Sequence, residues 1–151
     1  MRYVRYAAEG WGVGELVFDG DTLVHSEAPK PSNGVVLGED RLAARLSGYF
    51  AGARDDFLDV ELDLDGLTPF QRAVCEALRV VPYGETVTYG ELAALAGYPN
   101  AQRAAGTFCA HNRFSIVVPC HRVVAAGGIG SYGSLGVSYK RRLLELEGAA
   151  L

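Results

Sequence analysis

The chain has 151 residues, 49% of them apolar, and a formal net charge of −4 from fourteen Lys/Arg and eighteen Asp/Glu. That composition supplies one large core or two small ones and excludes a disordered or collagen-like chain. No apolar run is long enough to span a bilayer, and Cys75, Cys109 and Cys120 form neither a disulfide framework nor a CxxC zinc pattern.

The N-terminal Met1–Tyr6 lacks the apolar core of a signal peptide, so an intracellular, cytoplasmic protein is expected. Charge is unevenly spread. Residues 1–66 carry six Lys/Arg against thirteen Asp/Glu, and residues 67–151 carry eight against five. An acidic part and a basic part point to two modules, the second suited to a polyanion. A solvated charge pattern without function is the alternative.

In the first module, Met1–Ala8 reads as a strand, punctuated by Gly10-Trp11-Gly12. Glu15–Phe18 and Thr22–Ser26 read as strands around the hairpin turn Asp19-Gly20-Asp21. Ala28–Gly38, with Pro29, Pro31, Asn33 and Gly34, reads as a loop. Glu39–Phe50 is helical, since Leu42, Leu46, Tyr49 and Phe50 share one face. Asp55 and Asp56 read as solvated loop charges and His25 as structural. Asp59–Asp65 alternates acids with Val60, Leu62 and Leu64, a half-buried extended segment, and Asp65-Gly66 closes the module. Nothing here is a catalytic constellation.

The second module opens on a capping box, with Thr68 as cap, Pro69 at the first helical position and Gln71 completing it. Phe70, Val74, Ala77 and Leu78 give that helix its apolar face, Cys75 packs, and Pro82-Tyr83-Gly84 ends it. Thr88-Tyr89-Gly90-Glu91 is a second capping box, opening a short helix through Ala96 with Gly97 at its end. After Tyr98-Pro99, Asn100 is expected to cap a helix from Ala101 to about His111. Two short helices across a tight turn read as helix-turn-helix. In such a motif the second helix enters a groove. Its first residues here are Ala101, Gln102, Arg103 and Ala104, mostly small, so weak sequence specificity is expected. An ordinary helix pair with a surface arginine is the alternative.

Ser115-Ile116-Val117-Val118 reads as a strand that Pro119 ends, presenting Cys120 at its tip beside His121. A thiol there, next to a histidine, is a candidate activated nucleophile, set against the more common buried structural cysteine. Gly127 to Ser134 is a glycine-rich loop without phosphate-binding spacing. It would let the backbone approach a flat ligand. Ser138 is expected to cap a last helix through Leu143, Leu144 and Glu147 to Gly148.

With the helix-turn-helix and the Pro-Cys-His-Arg-Val run in place, the chain resembles the O6-alkylguanine-DNA alkyltransferases, the methylated-DNA–protein-cysteine methyltransferases. The blocks that carry the resemblance are Val87 to Ala93, Asn100 to Gly106, Asn112, Ile116 to Val124, and Leu143 to Gly148. The implied fold class is α+β (α/β). A small N-terminal ribonuclease-H-like sheet-and-helix domain over residues 1–66 would precede a mostly helical, helix-turn-helix, winged-helix-like domain over 67–151.

The implied function is DNA repair by irreversible transfer of an alkyl group from O6-alkylguanine, with O4-alkylthymine a second candidate, to the protein's own Cys120. Each molecule would act once, on a base flipped out of the duplex. Cys120 would be the alkyl acceptor, and His121 and Glu147 would complete a Glu–His–water–Cys relay favouring the thiolate. Asn112 would brace the turn that holds the cysteine, and Tyr89 would donate to N3 of the leaving guanine. Arg103 would fill the gap left by the flipped nucleotide. Gln102, Ala101, Ala104, Thr88, Arg122, Ser134 and Tyr132 would contact the DNA, the last two from the loop that covers the base.

The resemblance implies no cofactor and no metal, since the zinc site of some members needs cysteines that the first module lacks. The expected partner is double-stranded DNA containing O6-alkylguanine, not a membrane, and the protein is expected to be a monomer. Cys75 and Cys109 have no catalytic place in the family, and their pairing stays open. Two other readings compete. A damage sensor without chemistry is disfavoured because Cys120 is present. A Cys-His hydrolase is disfavoured because its partners are usually distant in sequence.

Overall fold

The computed structural model describes residues 1–32, 34 and 38–150. The chain is mixed α/β and divides into two compact units. The first is Met1–Asp63 with Arg113–Val117, and the second is Leu64–Asn112 with Val118–Leu151. The first unit thus includes a short segment from far along the chain.

The first unit is a meander of β1 (Arg2–Ala8), β2 (Gly12–Asp19) and β3 (Thr22–Lys30), all antiparallel, with α1 (Arg41–Phe50) packed on β1. Alternation sets the faces, since Val4, Tyr6 and Ala8 are buried while the residues between them are exposed. Asp19 pairs with Thr22, so Gly20-Asp21 forms the two-residue turn, with Gly20 at φ 61°. Helix α1 buries Leu42, Leu46, Tyr49 and Phe50, as its periodicity requires, and Asp40 caps it through the Ala43 N–H. Gly12 has no alternative, because a Cβ there would lie 2.0 Å from the Lys30 carbonyl oxygen.

Strand β3 runs through Lys30, so the residues from Ala28 on begin as strand rather than loop. Pro29 does not prevent this, because β3 pairs with β2 on only one side and the ladder is irregular nearby. Residues 33 and 35–37 of the expected loop lie outside the described residues. Two short parallel bridges cover the free edge of β3, one at Leu23↔Leu62 and one at Ser26↔Phe114. The extended segment expected over Asp59–Asp65 is therefore ordered at one bridge. Asp55 and Asp56 are not simply solvated. Asp55 makes paired hydrogen bonds of 2.7 and 2.8 Å with Arg45 and also accepts the Phe57 N–H, while Asp56 accepts the Leu58 N–H.

Ser115–Val118 is not a strand. After the bridge at Phe114 the chain turns, with Ile116 at φ 74°, and Cys120 opens a short 3-10 turn, Cys120–Arg122. Ile116, Val117 and Val118 are all buried. Burial, not pairing, explains their apolar β-branched character.

The second unit is mostly helical. It holds α2 (Pro69–Arg79), α3 (Tyr89–Leu95), α4 (Gln102–Ala110) and α5 (Val137–Leu146). A two-residue parallel ladder joins β4 (Val87–Thr88) to β5 (Val123–Val124). Both capping boxes form, with Thr68 and Thr88 each accepting the third-residue N–H. Val74, Cys75 and Leu78 of α2, Leu92 and Ala93 of α3, Ala105 of α4, and Leu143 and Leu144 of α5 are fully buried. Each of the valine and leucine side chains among them contributes roughly 1.5–3 kcal/mol.

Two expected caps are absent. Asn100 sits at φ 70° in the turn, Ala101 takes the cap position of α4, and no side chain bonds there. The left-handed conformation tightens the connection but removes Asn100 from capping geometry. Ser138 lies inside the first turn of α5, because Gly136, at φ 86°, is where the helix begins. No helix among the described residues is long and apolar enough to cross a membrane.

Candidate active site

Cys120 is held by a tight turn rather than a strand tip. Its own N–H donates to the Val118 carbonyl at 2.8 Å, and the Arg122 N–H donates to the Pro119 carbonyl at 2.9 Å. Asn112, just beyond α4, braces this turn from the side. Its Nδ2 donates to the Val118 carbonyl at 2.9 Å and to Cys120 Sγ at 3.3 Å.

Behind the cysteine is a fully buried charged cluster. His121 Nε2 lies 2.7 Å from Glu147 Oε2. Arg122 grips the same carboxylate with two nitrogens, at 2.9 and 3.0 Å, and its third nitrogen donates to the Val81 carbonyl at 2.7 Å. The Gly84 N–H completes the set at 3.2 Å. Burial alone would raise the Glu147 pKa, but hydrogen bonds from His121 and Arg122 outweigh it and hold the carboxyl well below its ordinary range. Burial pushes His121 down, with Arg122 adding to it against the pull of Glu147. The histidine is therefore neutral at neutral pH. An ionised Glu147 that accepts from Nε2–H leaves Nδ1 as the basic nitrogen.

In front of the cysteine is a cleft of about 20 Å³, lined among others by Tyr89, Gly106, Cys109, Cys120, Tyr132 and Gly133. Room on this scale admits roughly one water-sized group. Burial raises the Cys120 thiol, while Asn112, the Tyr132 hydroxyl and the Lys140 ammonium pull it back down. In this resting state the thiol keeps its proton. Tyr89, the first residue of α3, bonds Ser131, and burial raises its phenol, so it remains a donor.

Of the residues singled out from sequence, Cys120, Tyr89 and Tyr132 meet at the cleft, Asn112 holds the cysteine, and His121 and Glu147 form the pair behind it. Ala101, Gln102, Arg103 and Ala104 lie at the start of α4, the last three exposed, and do not line the cleft. Ser134 is exposed in a second 3-10 turn, Gly133–Leu135. Thr88 spends its hydroxyl on the Glu91 N–H. Arg122 is a correction. It is only 4% exposed and committed to Glu147 and Val81, so it offers no charge to DNA.

Two residues were missed. Lys140 is fully buried, with Nζ donating to the Val123 and Ser131 carbonyls, and its ammonium lies 5.8 Å from the Tyr89 ring centroid. The available signal was its register, since Lys140, Leu143, Leu144 and Glu147 form one buried stripe of α5. Cys109 is the other. It is a free thiol at the cleft, pushed up to about 12 by burial and by Cys120.

A family model described as 6-O-methylguanine DNA methyltransferase, DNA binding domain, matches residues 69–149. A methylated-DNA–protein-cysteine methyltransferase of Mycobacterium bovis is 53% identical over 104 residues, covering 68% of this chain and 61% of that protein. The chain thus aligns with about three fifths of that relative's length. One from Methanosarcina acetivorans is 48% identical over 106 residues, covering 70% of this chain and 66% of its own. The crystal structure of Mycobacterium tuberculosis OGT in complex with DNA superposes with a TM-score of 0.81 at 39% identity, over 97% of this chain and 93% of that one. The O6-methylguanine-DNA methyltransferase of Pyrococcus kodakaraensis gives 0.74 at 29% identity, over 97% and 98%.

Proposed function

The chain belongs to the 6-O-methylguanine DNA methyltransferase family, and we propose that it repairs O6-alkylguanine in DNA by moving the alkyl group to its own Cys120. The observation that carries this reading is the set of parts that the fold gathers around Cys120. A thiol opens on a small cleft under Tyr89 and Tyr132, with the neutral His121 and ionised Glu147 behind it.

On this reading the start of α4 enters the DNA, Arg103 occupies the space of the extruded nucleotide, and the base swings to the cleft, whose walls must move apart to admit more than the water-sized group it now has room for. Gln102, Ala101 and Ala104 lie against the backbone, with Ser134 and Thr88 nearby. The Cys120 proton passes through a water to His121 Nδ1, and Glu147 steadies the imidazolium that forms. The thiolate sulfur then forms a bond to the alkyl carbon as the carbon–O6 bond breaks. The electron pair goes to the guanine, which takes up one proton, matching the proton the thiol lost. Tyr89 donates to N3 and eases departure. The thioether is stable, so each molecule acts once. No step draws on a cofactor.

On the same reading the first unit is the family's variable ribonuclease-H-like domain, the second is winged-helix-like, and the protein acts in the cytoplasm as a monomer. O4-alkylthymine is a second candidate substrate.

The reading is tested with Cys120→Ala. This variant should still bind a duplex carrying O6-methylguanine while the lesion persists. Removal of the lesion by Cys120→Ala would reject the proposed chemistry.

A further inference from the structure

We propose that Cys109 is a resolving thiol for Cys120. Hydrogen peroxide that oxidises Cys120 leads to a disulfide between the two, which blocks the acceptor reversibly and spares it irreversible oxidation. That the block stops alkyl transfer rests on the proposed acceptor role of Cys120, whereas the disulfide itself does not. Both cysteines are free thiols, and both line the same cleft of about 20 Å³. Gly106, Cys109 and Ala110 are spaced i, i+3 and i+4, so a single face of α4 supplies one wall. That face lies close to the opposite side, since a Cβ on Gly106 would be 3.7 Å from the Tyr89 ring.

Asn112 ties the two cysteines together. Its N–H donates to the Cys109 carbonyl at 3.3 Å, and its Nδ2 donates to Cys120 Sγ at 3.3 Å. The space that both thiols line holds roughly one water-sized group, and closing it is the movement that the bond requires. Cys75, fully buried in α2, does not line this cleft.

The two thiols take different parts. With His121 as its base through the proposed water relay, Cys120 supplies the thiolate that attacks peroxide. The O–O bond breaks and a sulfur–oxygen bond forms. Sulfur is oxidised by two electrons, one water is released, and Cys120 is left as a sulfenic acid. The Cys109 sulfur then bonds to the Cys120 sulfur as the sulfur–oxygen bond breaks, and the hydroxyl leaves with the Cys109 proton as a second water. Burial, and after it the charge on Cys120, hold the Cys109 thiol up to about 12. A neutral sulfenic acid removes the second restraint at the step where Cys109 must react.

The experiment uses the full chain without DNA. It is treated with hydrogen peroxide, stopped with catalase, denatured with N-ethylmaleimide and mapped by peptide mass without reduction. The parent should lose two hydrogens and yield a linked Cys109–Cys120 peptide, with Cys75 carrying maleimide. After dithiothreitol it should regain most of its own untreated methyl transfer. Cys109→Ser should instead accumulate sulfinic or sulfonic acid on Cys120 and fail to regain its own untreated transfer. If Cys109→Ser does not fold, Cys109→Ala tests the same point.

A parent in which Cys120 reaches the sulfinic acid while Cys109 stays free overturns the proposal. So does a Cys120 linked to Cys75 or to a second chain, or a folded Cys109 variant that recovers as fully as the parent. If the parent transfers no methyl even before peroxide, the repair reading fails, and the peptide map still decides the role of Cys109.

Discussion

His121 and Glu147, 26 positions apart in sequence, meet at 2.7 Å with both side chains fully buried. Because Arg122 already neutralises the carboxylate through two nitrogens, the histidine need not be charged to satisfy it. The imidazole is thus oriented and left free to accept a proton.

Removing the carboxylate should therefore damage both fold and chemistry. Glu147→Ala strands Arg122 and His121 in a buried site, and a broken buried pair costs about 3–5 kcal/mol. Urea unfolding should show that loss. Glu147→Gln, which keeps the shape, should unfold later than Glu147→Ala and still transfer methyl slowly. Equal stability of all three proteins would contradict the packing described.

Acid should destabilise the protein in two steps. His121 is pushed below its ordinary 6.5, first by burial, and Glu147 is held below its ordinary 4.5 by His121 and Arg122 against burial. In both cases the unfolded chain binds protons at higher pH than the folded chain. Stability is present above those values and is lost as pH falls through them. Tm measured by calorimetry should begin to fall below about pH 6.5 and fall more steeply below about 4.5. A Tm that is flat through the first window would mean that His121 is not held neutral.

Asn112→Ala should slow transfer more than it destabilises. The variant removes one of two donors to the Val118 carbonyl, which keeps the Cys120 N–H, a loss of about 0.5–1.5 kcal/mol, and it frees Cys120 Sγ from its brace. The expected result is a lower single-turnover rate with duplex affinity unchanged. An unchanged rate would remove Asn112 from the site.

Arg103→Ala should do the reverse, because Arg103 is exposed on α4 and none of the described contacts of its side chain would be lost in a core. Unfolding free energy should stay within about 0.5 kcal/mol of the parent, while transfer from duplex DNA slows. Reaction with free O6-alkylguanine base should be unaffected. Equal slowing on the free base would place Arg103 in the chemistry instead of in base extrusion.

What the sequence made legible was local. Thr68 and Thr88 announce their helices because a capping box is a relation across three residues. Cys120 and His121 are adjacent, and their meaning came from the ordered blocks around them. What stayed hidden depends on distant partners. Lys140 looks like a surface lysine until the Val123 and Ser131 carbonyls are brought to it. Arg122 looks like a cation for DNA until Glu147 and Val81 take its guanidinium. Ser115–Val118 carries a strand composition, yet Ile116 turns the chain at positive φ. In the same way, Asn100 has the chemistry of a cap but not its backbone conformation.

The most direct measurement is intact-protein mass after mixing with a short duplex carrying one O6-methylguanine. The expected result is a single added methyl, mapped to Cys120 and never exceeding one per molecule however much duplex is supplied. No added mass with the duplex still bound, or a methyl on Cys109 in place of Cys120, would contradict the assignment of the acceptor.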